Sequence, residues 1–347
     1  MKIRFEKVTF FWEDIFMFRC FLFANFSLLG FVFAQTRIAS AVVGYETLTL
    51  KGGQYNLCGL RLLQKSLYVG NVNWDGALFT NAASSGFSIL SEDIPYQLEL
   101  KSGEYTGLIV AVVKSDNGLA LHEISEGVDL NTFSEVECCL RQSVTLDSLF
   151  GSPNRVNLDV SDTMSSGQAD EVLLRRDGVF EKFFYTSATP SGWYKETSSG
   201  VEMASDTPIL STEAFMFYRK AEQDLDIVVS GYVKMSNTIY LLKDTYNYLS
   251  SSYPIGMTLG SSGLSSSVTP TDVMAYGVAD EIHLPSADKV YRKCIFYQKD
   301  GGAGWFYQDL TGAFVSADTL PLVSGFALVK RSVEDSVLSL DSPLSNL

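Results

Sequence analysis

Six acidic residues fall into two matching groups. Asp162, Asp170 and Glu171 belong to Ser161-Asp162-Thr163-Met164-Ser165-Ser166-Gly167-Gln168-Ala169-Asp170-Glu171-Val172. Asp272, Asp280 and Glu281 hold the same places in Thr271-Asp272-Val273-Met274-Ala275-Tyr276-Gly277-Val278-Ala279-Asp280-Glu281-Ile282. Six of the twelve positions are identical, without a gap. Carboxylates this close together could surround a hard cation, and calcium prefers several carboxylate and carbonyl oxygens. A plainer reading needs no ion, because an Asp just before a strand closes a turn by bonding nearby backbone. No Asp-x-Asp-x-Asp-Gly loop is present. Turn chemistry is therefore the expectation, with calcium as the alternative.

Aromatic pairs form a second constellation. Trp193 and Tyr194 follow Gly192, and Trp305 and Phe306 follow Gly304. An exposed indole offers a broad apolar face on which a sugar ring can stack. The competing reading is that these rings fill a core, where most large aromatics reside.

Catalytic patterns are scarce. The two histidines, His122 and His283, lack the i, i+4 partner of a His-Glu-x-x-His zinc site. There is no Gly-x-Ser-x-Gly elbow, P-loop or Gly-x-Gly-x-x-Gly turn. A pair of carboxylates working on a glycosidic bond would be recognised by separation in space, so it stays open as a second alternative. No metal or other cofactor is expected beyond the calcium alternative.

The elements that must position these residues read as strands. Short alternating runs separated by Gly, Ser, Asp and Asn recur along the chain, and no long helical period appears. Similarity at one fixed offset marks a duplication. After each twelve-residue stretch come an aromatic run (Phe183-Phe184-Tyr185; Ile295-Phe296-Tyr297), a Gly-Trp pair, and a basic-ended strand (residues 214–220; residues 325–331). Thr145-Leu146-Asp147-Ser148 answers Thr258-Leu259-Gly260-Ser261. Gly44-Tyr45 and Tyr55-Asn56 answer Gly231-Tyr232 and Tyr246-Asn247 more weakly. The segment at about 65–142 has no counterpart and reads as a small antiparallel sheet or barrel, with Asn117-Gly118 as a hairpin turn.

The net charge of −14 over 347 residues comes with scattered Lys and Arg. A phosphate backbone attracts clustered basic residues, so nucleic acid is not an expected partner. Residues 1–34 read as an export signal: a basic start, an apolar run over residues 21–33, and small residues before Gln35. A start at Met17 would give a more compact leader without Glu13 and Asp14. No later run is long and apolar enough for a membrane span. Cys58, Cys138, Cys139 and Cys294 follow the leader; buried, unpaired thiols are the expectation, although an exported chain could pair them.

Taken together, these features resemble a known set. They are the leader, Gly44-Tyr45, Tyr55-Asn56, Ser102-Gly103-Glu104-Tyr105-Thr106-Gly107, the Thr-Leu-x-Ser-Leu-Phe-Gly run at residues 145–151, Ala169-Asp170-Glu171-Val172, Gly192-Trp193 and Gly325-Phe326-Ala327-Leu328-Val329-Lys330-Arg331. They are similar to an uncharacterised family of exported β-rich repeat proteins of Verrucomicrobia-type bacteria. The resemblance covers nearly the whole chain after the leader and implies export and a β fold. It implies no activity, because none is established for that family. Ala214 stands where the family pattern has Gly.

The expectation is an all-β protein of two related β-sandwich-like repeats, residues 35–230 and 231–347. A small antiparallel β module interrupts the first. The expected role is an exported, non-catalytic structural or interaction protein of the periplasm, cell surface or extracellular space. Its expected partner is a surface polysaccharide or an envelope protein. The alternatives are a carbohydrate-binding or adhesion module and, after that, a glycoside-active enzyme.

Overall fold

The computed structural model describes residues 42–81, 87–125, 128–151, 156–242, 245–254, 256–286, 291–299, 301–331 and 336–344. The chain divides into two compact units, Met1–Val42 and Val43–Leu347. The expected leader lies outside the described residues, and the strands all belong to the second unit.

That unit is almost entirely β. Val43–Leu50 illustrates the cause: Tyr45, Thr47 and Thr49 face water while Leu48 and Leu50 are buried, the period of two that a pleated strand imposes. Two six-stranded antiparallel sheets form with one strand order. The first runs Gly200–Met203, Gly192–Thr197, Val179–Thr186, Glu171–Arg176, Ala214–Arg219, Gln54–Gly59. The second runs Phe314–Ser316, Gly302–Gln308, Tyr291–Lys299, Glu281–Pro285, Gly325–Val329, Tyr246–Ser250. Each sheet faces a ribbon across an apolar core. In the first, Val43–Leu50 pairs with Leu225–Val233 along all eight residues; in the second, Thr238–Leu242 pairs with Ser336–Leu340.

The first core gathers Leu48, Leu50, Phe150, Val172, Trp193 and Phe217; the second gathers Tyr240, Leu242, Ile282, Trp305, Phe326 and Leu328. Strand pairing also revises one sequence echo. Gly231 lies opposite Gly44 in the same ribbon, and the strand holding the place of Val43–Leu50 in the second half is Thr238–Leu242. Like residues recur at Gly44 and Gly231 because they are cross-strand neighbours.

The two sheets meet at their Gln54–Gly59 and Tyr246–Ser250 sides, where glycines permit close approach. A Cβ on Gly59 would lie 2.2 Å from the Ser324 carbonyl oxygen, and one on Gly325 would lie 2.9 Å from Cys58 backbone. Ser250 Oγ donates to the Leu60 carbonyl across this seam at 2.9 Å.

Between the short strands Leu62–Leu63 and Val144–Thr145 stands a closed six-stranded barrel. Its strands run Ser66–Trp74, Leu78–Thr80, Gly118–Leu121, Ile109–Ser115, Tyr96–Leu100 and Phe133–Gln142 around the ring. Leu98, Leu100, Val110, Val112, Phe79 and Leu140 fill it. The chain leaves for the barrel and returns at one place, since Ser66 pairs with Arg141. The expected Asn-Gly turn is shifted by one residue: Ser115 pairs with Gly118, so Asp116 and Asn117 make the turn. Gly118 is required for a different reason, because a Cβ there would lie 2.4 Å from the Phe79 carbonyl oxygen.

A buried ion cluster fixes the barrel to the rest of the unit. Glu99 on Tyr96–Leu100 meets Lys234 at 2.9 Å, Lys101 at 3.0 Å and Arg141 at 2.8 Å, with the Glu99 side chain 1% and the Lys234 side chain 0% exposed. Burial pushes the Glu99 carboxyl up, but the three cations, Lys234 foremost, hold it well below the usual carboxylate range. Burial lowers Lys234 to about 8 against the pull of Glu99. Gln97 adds a neutral clamp: its Nε2 donates to the Ile209 carbonyl at 3.1 Å and its Oε1 accepts from Ser211 Oγ at 3.0 Å.

Candidate functional site

The repeated acidic residues form two latches. Asp170 is 1% exposed; its Oδ1 accepts from the Lys220 N–H at 2.8 Å and its Oδ2 from the Asp159 N–H at 3.0 Å. Asp280 is 3% exposed and repeats this, with Oδ1 accepting from the Arg331 N–H at 2.8 Å and Oδ2 from the Thr269 N–H at 2.9 Å. Each carboxylate thus ties the approach to its twelve-residue stretch to the end of a strand some fifty residues later. The next acid holds a cation: Glu171 meets Lys220 Nζ at 3.0 Å, and Glu281 binds the Arg331 guanidinium. Asp162 and Asp272 are exposed and stand apart from these pairs. Among the described residues no group of three or more metal-ligating side chains converges. The Asp170 and Asp280 oxygens accept from backbone donors eleven and some fifty residues away, so these carboxylates close long-range joints and not the local turns expected from sequence.

Two differences separate the latches. Arg219 also bonds Asp170, whereas its counterpart Lys330 reaches Ser336. His283 Nε2 lies 2.9 Å from Glu281, at the place of Leu173 in the first half. Burial raises the Glu281 carboxyl, but His283, the Gly277 N–H and Arg331 together bring it below the usual range.

The aromatic candidates require a correction. Trp193 is 0% and Trp305 1% exposed, and Tyr194 is buried. Phe150 packs against Trp193 and Phe296 against Trp305, with ring centroids 5.3 Å apart in each case. No indole face of this pair is open to a sugar ring. Phe306, next in sequence, is only half-buried. Sequence shows that a Trp follows a Gly on a strand, but not which face of that strand is covered. The four described cysteines are free and buried, and burial pushes the Cys58, Cys138 and Cys294 thiols up to about 12, which leaves them unreactive.

Two clefts lie at corresponding places beside the two sheets. The larger, about 980 Å³, lies between Glu46 to Thr49, the Tyr55 to Cys58 stretch, and Pro285, Tyr291, Val323 and Ser324 of the other half. The smaller, about 760 Å³, lies between Ile239 to Leu241, the Tyr246 to Leu249 stretch, and Arg176, Gly178, Thr212 and Glu213 of the other half. Tyr55-Asn56 in one and Tyr246-Asn247 in the other occupy corresponding strands. The barrel closes the smaller cleft by contributing Leu108, Ile109, Ser125 and Val128. It contributes nothing described to the larger.

The larger cleft is lined by tyrosine rings and apolar side chains, with charged pairs on its border. Tyr55 is 54% exposed and lies over Tyr218 with centroids 4.6 Å apart. Arg61 Nε donates to Glu46 at 2.6 Å, and Lys51 Nζ to Asp224 at 2.6 Å, so both charged pairs on its border are internally neutralised. Gln54 Oε1 is buried without a partner. No motif in the sequence marks these residues as a site. The only sequence signal is the weak echo of Tyr-Asn, because the cleft's walls come from parts of the chain more than two hundred residues apart. No family model, no curated protein and no solved structure matches this chain.

Proposed function

We propose that this chain is an exported, non-catalytic interaction protein of the cell envelope or the extracellular space. The observation that carries this reading is the use made of the ionisable groups. Asp170 and Asp280 close backbone joints, Glu171 and Glu281 hold basic side chains, and Glu99 anchors the barrel. The charged pairs bordering the larger cleft neutralise one another. What that cleft offers is tyrosine faces and hydroxyls, which suit recognition better than proton transfer. The leader-like composition of residues 1–34, and the resemblance of the motif set to exported proteins, support export.

A second reading is a carbohydrate-binding module that uses the cleft tyrosines in place of the buried tryptophans. The exposed Tyr55 face, backed by Tyr218, favours it. The test is a glycan panel read with the wild-type chain and with Tyr55→Ala shown to be folded. Retention lost in the variant selects the carbohydrate module. Envelope fractions that retain the chain when no glycan does select a protein partner. Turnover of any glycoside by the wild type removes the non-catalytic reading.

A further inference from the structure

The two clefts each expose the edge of a strand, and the molecule shows what one of them accepts. Ile239, in the middle of Thr238–Leu242, forms a parallel bridge with Leu108 of the barrel, and its N–H donates to the Gly107 carbonyl at 3.1 Å. Gly107 must be glycine there, since a Cβ would lie 2.4 Å from the Asn237 carbonyl oxygen and its φ is +99°. Ile239 and Leu241 pack against the barrel core. Backbone at the end of the turn at residues 103–107 thus takes up one position of this edge through a single bridge.

The corresponding edge in the first half is Val43–Leu50. It pairs with Leu225–Val233 on one side only, and among the described residues no strand pairs with its other side. Four consecutive residues, Glu46 to Thr49, line the larger cleft, as a strand presenting its edge would. Natural edges are usually blunted by Lys, Pro, a bulge or short length. This one is eight residues long, pairs with its neighbour without a register break and carries neither Lys nor Pro. At the far end of each sheet, by contrast, the outermost strand is only four residues long in the first and three in the second. The outward positions also differ between the halves: Thr47 and Thr49 stand where Ile239 and Leu241 meet the barrel. Its one charged residue, Glu46, is neutralised by Arg61.

We propose that the cleft beside Val43–Leu50 is a docking groove for an extended, uncharged polypeptide segment of another chain, which adds to that free edge as a further strand. Main-chain hydrogen bonds supply the affinity, and the tyrosine-lined wall opposite supplies selectivity. The Thr face calls for β-branched or hydroxyl side chains on the incoming segment, since Thr pairs well with such neighbours across strands. This names the partner class for the interaction reading and rests on it.

The test uses the full chain and a synthetic peptide with the sequence of residues 105–112, an uncharged stretch that includes the chain's own occupant of the equivalent edge, with Leu108 replaced by Thr. Hydrogen exchange is followed with and without peptide. The expected result is slowed exchange across Val43–Leu50 with no change across Thr238–Leu242. A backbone N-methylated peptide should bind at least tenfold more weakly, because strand addition depends on main-chain donors. Thr47→Lys, at an exposed position, should weaken binding by a similar factor. Absence of protection at millimolar peptide overturns the proposal, as does binding that N-methylation leaves unchanged. A chain that ignores the peptide but is still retained by envelope fractions keeps the interaction reading and loses this inference alone.

Discussion

The two halves of this unit are built alike and finished differently. Each has the same six-strand order, a buried Asp latch and a Trp in its core. Yet the second half has its edge strand covered by the barrel, while the first leaves its own edge open to a cleft of about 980 Å³. The difference is written in the strands themselves. Where the barrel sits, the outward residues are Ile239 and Leu241; where nothing described sits, they are Thr47 and Thr49. The two halves share a strand order and differ in the surface that each presents. The feature that sets the halves apart, and not the one they share, is the better guide to function.

The contrast between the halves breaks most readily at the barrel. Glu99→Gln would leave Lys234, Lys101 and Arg141 without their anion. Removing one partner of a buried charge group costs about 3–5 kcal/mol. Thermal unfolding should show that loss, and hydrogen exchange across Thr238–Leu242 should rise toward that of Val43–Leu50. An unchanged melting temperature would mean that the ion cluster does not hold the barrel.

The latches offer a sharper contrast. Both Asp residues satisfy two backbone N–H groups, but only Asp170 also holds Arg219. Asp170→Asn should cost about 3 kcal/mol and Asp280→Asn about 1–2 kcal/mol by urea unfolding, because the first also takes the nearest carboxylate from a buried guanidinium and leaves it Asp159 at 3.7 Å. Equal costs would show that Arg219 adds nothing.

The next effect is one of pH. Burial lowers His283 from its ordinary 6.5, against the pull of Glu281. The unfolded chain therefore takes up a proton at this ring more readily than the folded one. Stability falls as the pH drops from about 6.5 through the lower folded value. The first half carries Leu173 at this place. Exchange across Glu281–Pro285, corrected for its intrinsic rate, should rise relative to Glu171–Arg176 between about pH 7 and pH 5.5. His283→Leu should abolish the difference.

Tyr55→Ala should have the smallest effect on stability. An exposed ring away from any buried joint contributes within about 0.5 kcal/mol, so a larger loss of stability by urea unfolding would make Tyr55 structural and weaken its role in the cleft.

The fold class is legible in the sequence because its signal is local. Alternation in Tyr45 to Leu50, the short β-type runs and the reciprocal Thr145 and Ser148 bonds, matched by Thr258 and Ser261, need only neighbours a few residues away. The duplicated stretch is legible too, but its role is less so. Asp170 looks like a ligand until its two backbone donors appear, and those come from residues eleven and fifty positions away. Trp193 and Trp305 read as contact candidates because strand periodicity does not say which face the opposing ribbon covers. The cleft is invisible in sequence because each wall belongs to a different half, and Tyr55 becomes a lining residue only once Tyr291 is brought opposite.

The root of the barrel decides how the molecule would carry a mechanical load. The chain departs from and rejoins the first half where Ser66 pairs with Arg141. Tension passing along the backbone from Val43 toward the carboxy-terminal strands crosses that pair and need not run through the barrel. The barrel is thus a side load on the molecule, joined at its root where Ser66 pairs with Arg141 and tied at its flank by Glu99, Gln97 and the Leu108–Ile239 bridge. Were the two halves pulled apart along the chain, the barrel would be spared the pull and keep its shape, and the edge it covers would stay covered.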